Sequence, residues 1–165
     1  MQTLVYEAMV FARQAHRGQK RKYTDEPYFG HLSEVAGITG TVTDNPEALA
    51  TAWLHDVVED QNVDIRILAQ RFGDRVAAGV VALSDVEEGN RAERESASRR
   101  RLHAAEGWVQ TIKVADIISN TSAIATHDPG YAPKYLSEKR AMLDVLDKAE
   151  PRLREIALTQ LGGEK

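Results

Sequence analysis

Residues 48 to 60, "ALATAWLHDVVED", load a histidine and three carboxylates into a stretch otherwise apolar enough to be buried. Buried carboxylates are costly unless a partner compensates them. No Lys or Arg lies between Thr51 and Asp64, so the compensation has to come from another part of the chain or from a bound cation. Asn45-Pro46 reads as a cap followed by Pro at the first helical position, opening a helix that runs through Ala52, Trp53 and Val57. On such a helix His55 and Glu59 share one face and Asp56 and Asp60 the neighbouring one, about 100° round. Four polar groups then project from one side of a helix whose other side is apolar.

The rest of the chain has the same period. Leu4, Ala8, Phe11, Ala12 and Ala15 recur at helical spacing, with Gly18 placed as a C-terminal cap. A polar, turn-rich link, "GQKRKYTDEPY", leads to a second helix near His31. Ile65, Leu68, Ala69 and Phe72 form a stripe that stops at Gly73, and Val76, Val80 and Leu83 continue on the next helix. The β-branched run Val109 to Val114 could pass for a strand, but the spacing of Ile112, Ala115, Ile118 and Ser119 predicts a buried helix. Met142, Leu146 and Ala149, then Leu153, Ile156 and Leu161, give two more helices broken at Pro151. With 165 residues, no internal repeat and no linker long enough to divide it, the chain is expected to be one all-α domain over residues 1 to 165.

Composition narrows the chemistry. The chain has no Cys, which excludes disulfides and thiolate metal sites, so a metal would have to be held by His and carboxylate. The N-terminal pattern is interrupted by Glu7 and Arg13 and has no signal-peptide or membrane-spanning run, from which a cytoplasmic protein without membrane contact is expected. A net charge of −4 argues against a nucleic-acid binder. Against that acidic background Arg13, Arg17, Lys20, Arg21 and Lys22 form a local site for a small polyanion. Arg99, Arg100 and Arg101 read instead as a solvated helix face. Trp53 and Trp108 read as core, His103 and His127 as surface, and His16 as structural. His31 opens the second helix, and Asp116 stands in the apolar run "TIKVADIIS", where a lone carboxylate needs a partner. His31, His55, Asp56 and Asp116 offer two imidazoles and two carboxylates, a borderline-to-hard set suited to Mn²⁺, Fe²⁺ or Zn²⁺.

Four segments, "AHRGQKRKYTDEPYFGH", "ALATAWLHDVVED", "RFGDRVAAGVVALSD" and "IKVADIISN", resemble, in order, the HD-domain phosphohydrolases, and among them the small alarmone hydrolases of the RelA/SpoT type. The resemblance implies an HD-domain helical bundle, usually with Mn²⁺, that removes the 3′-pyrophosphate from guanosine tetra- or pentaphosphate (ppGpp, pppGpp). It implies His31, His55, Asp56 and Asp116 as metal ligands, and Glu59 and Asp60 as the acidic pair that orients and deprotonates water. It further implies Arg21 and Lys22 beside the nucleotide and Asn120 near the sugar and phosphates, and Lys20, next to that basic pair, is expected to help neutralise the diphosphate arms. Two departures bear on the substrate. Ile117, Ile118 and Ser119 stand where the long alarmone hydrolases read Arg-Leu-His, and the basic loop "RKYTDEPY" is one residue longer than usual. Adenine alarmones or the 2′-phosphate of NADPH are the alternative substrates, and a metal-binding sensor without turnover is the alternative class.

Overall fold

The computed structural model describes residues 2–162, which form ten helices and, outside them, one isolated β-bridge between Lys20 and Pro27. The all-α expectation holds, including the helix over the β-branched run. None of the described helices is long and apolar enough to cross a membrane. The chain divides into two compact units, Met1–Val86 and Glu87–Lys165.

The first unit contains α1 (Gln2–Ala15), α2 (Phe29–Gly40), α3 (Pro46–Leu54), α4 (Val57–Gln61), α5 (Ile65–Phe72) and α6 (Asp74–Leu83). Helix α3 packs on α1, α2 and α6. The contact surfaces are rich in alanine: Ala8, Ala12, Ala50 and Ala52 are fully buried. Small side chains let helix axes approach to the short end of the usual range. Leu32, Leu54, Val57, Leu68 and Val80 fill the space around them, and Phe11 meets Phe72 edge-on at 5.5 Å. Each such leucine contributes about 1.5–3 kcal/mol by burial. Asn45 caps α3 as its sequence suggests, its side chain accepting from the backbone N–H groups of Glu47 and Ala48. Gly73 ends α5 at φ 94°, a backbone angle that side-chain-bearing residues rarely adopt.

Between α1 and α2 the chain makes a short hairpin-like excursion. Arg21 N–H donates to Glu26 O at 2.8 Å and Tyr28 N–H to Gln19 O at 2.9 Å, so Gln19 and Tyr28 are pinned side by side at its base.

The second unit contains α7 (Arg91–Ala104), α8 (Gly107–His127), α9 (Ala132–Val145) and α10 (Pro151–Gln160). Asn90 and Glu93 form a reciprocal capping box at the start of α7. Gln110, fully buried, ties the unit together: its amide N–H donates to Leu102 O and His103 O, and its oxygen accepts from Lys148 N–H. Gly107 fits where the backbone passes Lys148, since a Cβ there would lie 2.6 Å from that carbonyl oxygen.

Candidate functional site

The helix expected to run unbroken from Pro46 through Val57 stops at Leu54 and restarts as α4 at Val57. Asp56 sits at the break with φ −104° and ψ 0°, in the bridge region of backbone space. The face-by-face register counted on a continuous helix is therefore replaced by a sharper arrangement. His55 ends α3, and its Nδ1 lies 2.7 Å from Ala52 O, one of the last carbonyls of that helix. A carbonyl can only accept, so Nδ1 carries the hydrogen and the lone pair of a neutral ring sits on Nε2. That Nε2 is 3.0 Å from Asp56 Oδ2, while His31 Nε2, from the first turn of α2, lies 3.6 Å from the same oxygen. One ligand atom from each of His31, His55 and Asp56 lies within 4.8 Å of those of the other two, and all three side chains are buried.

Lone pairs of neutral imidazoles and a carboxylate oxygen repel at such distances unless positive charge lies among them. A shared cation or an imidazolium proton supplies it, and a His/His/Asp donor set suits a borderline-to-hard divalent metal. Tyr28 fixes the carboxylate from outside, its hydroxyl donating to Asp56 Oδ2 at 2.6 Å. Its ring packs against those of His16 and His31, with centroids 5.2 and 5.3 Å away.

The acidic pair lies on α4. Glu59 is exposed and its Oε1 accepts from the backbone N–H of Asp85 at 2.5 Å. Asp60 is half-buried, and its Oδ2 accepts from Gln19 Nε2 at 3.0 Å. Burial and the neighbouring Asp56 charge push the Asp60 carboxyl above the usual aspartate range, against the opposing pull of Gln19, His16 and Tyr28.

The basic cluster is divided. Arg13, Arg17 and Lys20 line a cleft of about 870 Å³ that also takes in His16 and Phe29, and no Asp or Glu is among its lining residues. Lys20 pairs with exposed Asp25 at 3.3 Å. Arg21 reaches both carboxylate oxygens of Glu34 at 3.3 Å, and Lys22 lies over the Tyr23 ring. The second cluster is not wholly solvated: Arg101 forms an ion pair with Glu87, both side chains only 21% exposed, because the segment before α7 folds back on that helix. His103 and His127 are exposed as expected, His103 bonding Val145 O. Trp53 and Trp108 are half-buried rather than fully interior. Trp53 stacks on Phe29, and the Trp108 indole N–H donates to Glu106.

In the second unit Asp116 is buried on α8 and is not a lone carboxylate. Lys113, three residues earlier and itself buried, donates to its Oδ2 at 3.1 Å, and Asn120, one turn later, donates to its Oδ1 at 3.0 Å. Asn120 and Asp116 thus meet directly across one turn of α8. Tyr28, Gln19 and Lys113 are contributors that the sequence reading passed over. Tyr28 and Gln19 lie inside the "EPY" and "HRGQ" segments, and Lys113 stands at helical spacing from Asp116, so each left a signal in the sequence.

The HD domain family profile matches residues 8–134. A probable guanosine-3′,5′-bis(diphosphate) 3′-pyrophosphohydrolase from Synechocystis is 31% identical over 132 residues, which are 76% of this chain and 17% of that protein. A guanosine-3′,5′-bis(diphosphate) 3′-pyrophosphohydrolase from Vibrio cholerae is 37% identical over 111 residues, 66% of this chain and 15% of its own length. The chain thus spans less than a fifth of these curated relatives. A solved structure described as a metazoan ortholog of SpoT that hydrolyzes ppGpp superposes with a TM-score of 0.86 at 25% identity, covering 96% of this chain and 93% of that one. With the family profile matched over most of its length and the histidine–aspartate doublet set against a second buried histidine, the chain belongs to the HD-domain family.

Proposed function

We propose that this chain is a cytoplasmic metal-dependent phosphohydrolase that removes the 3′-pyrophosphate from ppGpp and pppGpp, leaving GDP or GTP and pyrophosphate. The observation that carries the reading is the convergence of His31 and His55 Nε2 on one Asp56 oxygen, with an acidic pair on the next helix. The names of the Synechocystis and Vibrio relatives and of the metazoan structure support the choice of substrate.

In this reading His31, His55, Asp56 and Asp116 hold one divalent ion, Mn²⁺ first, with Fe²⁺ or Zn²⁺ as alternatives. Such an ion supplies Lewis acidity toward a phosphoryl oxygen and lowers the pKa of water. Glu59, with Asp60 beside it, orients the attacking water and takes its proton as the new oxygen–phosphorus bond forms and the bond from phosphorus to the 3′ oxygen breaks. A raised carboxyl on Asp60 makes it a better proton acceptor near neutral pH than an ordinary aspartate. Lys20, Arg21 and Lys22 neutralise the diphosphate arms, and Asn120 offers its amide to the sugar and phosphates.

A panel of phosphorylated nucleotides incubated with Mn²⁺-loaded protein, with products resolved by ion-exchange chromatography, tests this. GDP and pyrophosphate from ppGpp are expected, and Glu59→Gln is expected to abolish their release while leaving bound metal nearly unchanged. Release of neither phosphate nor pyrophosphate from any nucleotide would overturn the enzyme reading in favour of a metal-binding sensor. A second substrate reading is favoured by the buried, uncharged Ile117 and Ser119 beside Asp116. Preferential cleavage of an adenine alarmone or of the NADPH 2′-phosphate would select it.

A further inference from the structure

We propose that Gln19 is a positioning residue for the hydrolysis: its side-chain amide, locked in orientation by His16 and Gln61, holds the Asp60 carboxylate in the attitude in which it assists proton removal. The inference rests on the role given to Asp60 above, and it comes from a hydrogen-bond chain that no part of that role requires.

An amide side chain has an accepting end and a donating end, and its two flipped forms fill the same space. Here the partners leave one choice. Gln19 Nε2 lies 3.0 Å from Asp60 Oδ2, and a carboxylate only accepts. The opposite end, Oε1, faces His16 Nδ1 at 2.7 Å and Gln61 Nε2 at 2.6 Å, both able to donate. Flipping the amide would set carbonyl oxygen against carboxylate oxygen, so the bond to Asp60 would be lost.

Each neighbour is itself held. His16 is 3% exposed and its ring stacks on Tyr28 with planes 29° apart. Gln61 directly follows Asp60 on α4, so one amide grips two consecutive residues of that five-residue helix and fixes its roll. The Gln19 backbone is tied in turn, its carbonyl accepting from Tyr28 N–H at 2.9 Å. The same tyrosine hydroxyl holds Asp56, so the hairpin base orients a proposed metal ligand with one residue and a proposed proton acceptor with the other.

The test is a double-mutant cycle. Gln19→Leu keeps the volume and removes both ends of the amide. Its kcat on ppGpp is expected to fall about 10–100-fold, the usual consequence of a misplaced reacting group, with KM and bound Mn²⁺ within about twofold of wild type. In an Asp60→Ala background the same change is expected to add less than about twofold, since there is no carboxylate left to place. A kcat for Gln19→Leu within about threefold of wild type, or losses that multiply across the cycle, overturns the proposal. Where Gln19→Leu fails to fold, the near-isosteric Gln19→Glu sets carboxylate against carboxylate and is expected to lose at least as much activity. A readout independent of turnover is the Gln19 side-chain ¹⁵NH₂ resonance, expected to move when Asp60→Ala is introduced. If it does not move, the proposal fails. An inactive wild type in which that resonance does move would sink the substrate assignment and leave the Gln19–Asp60 contact standing.

Discussion

Lys113→Met separates the ion pair on α8 from the role proposed for Asp116. The two side chains are 8% and 13% exposed and meet at 3.1 Å, so water screens them poorly. Methionine retains most of the buried stem of lysine and creates little cavity. What is lost is the Lys113 charge, and Asn120, which still donates to Asp116 Oδ1, brings a hydrogen bond but no charge in its place. Removing one partner of a buried pair costs about 3–5 kcal/mol. For a chain of this length each kcal/mol lowers Tm by about 2–4 °C, so metal-free Lys113→Met should melt about 6–20 °C below wild type. A cation bound at Asp116 replaces the missing charge, and anything that binds the native state alone stabilises it. Saturating Mn²⁺ should therefore raise the Tm of the variant by more than it raises that of wild type. Scanning calorimetry of chelator-treated and Mn²⁺-loaded samples at pH 7 gives all four values. A metal-free variant melting within about 2 °C of wild type refutes the buried-pair reasoning. A large metal-free loss of which Mn²⁺ restores no extra share refutes Asp116 as a ligand.

Tyr28→Phe removes the 2.6 Å hydroxyl bond to Asp56 while keeping the ring against His16 and His31, so Mn²⁺ affinity measured by titration calorimetry should fall about 10–100-fold with little change in helix content. Asn45→Ala strips the cap of α3, two bonds of 2.9 and 3.1 Å, and should cost about 1 kcal/mol in urea unfolding at constant m, with kcat unchanged. Arg91 holds the Glu138 carboxyl below its ordinary 4.5. A carboxyl depressed in the folded state stabilises it above the unfolded value, and that contribution is lost as pH falls through the folded one. The pair is partly exposed, so the stability gap between wild type and Glu138→Gln should be about 0.5 kcal/mol at pH 7 and should close below the normal carboxylate range.

The helices were legible because their signals are local. Asn45-Pro46, the stop at Gly73 and the 3.6-residue spacing through Ile112 and Ala115 depend only on neighbours within two turns. The break after Leu54 was not, because the apolar pattern runs straight across it, and the partners Asp56 meets at the break, His31 and Tyr28, come from another helix and its cap. Distance along the chain hides the hydrogen-bond chain in the same way, Gln19 and Asp60 being 41 residues apart. Lys113 differs: its i,i+3 spacing from Asp116 is local, so the one cation in that apolar run is readable from the sequence. The basic cluster was legible as composition, while its division into a cleft-facing set and an Arg21–Glu34 pair depends on the hairpin at residues 19–28.

The break also explains why the histidine and aspartate of the doublet occupy consecutive positions. A helix end leaves its last carbonyls without backbone donors, and something must supply them. His55 does so with Nδ1 at Ala52 O, and that bond puts the ring's lone pair on Nε2, the atom facing Asp56. Capping the helix and choosing the tautomer are therefore one event. Asp56 alone departs from helical backbone, and the ladder resumes at once, with Asp60 N–H donating to Asp56 O at 2.9 Å. Shifting the doublet by one residue would place the carbonyl-bonding imidazole inside α3 or leave the helix end without its cap. The adjacency is thus what allows a helix to stop, a carboxylate to turn toward two imidazoles, and a second helix carrying the acidic pair to begin within three residues.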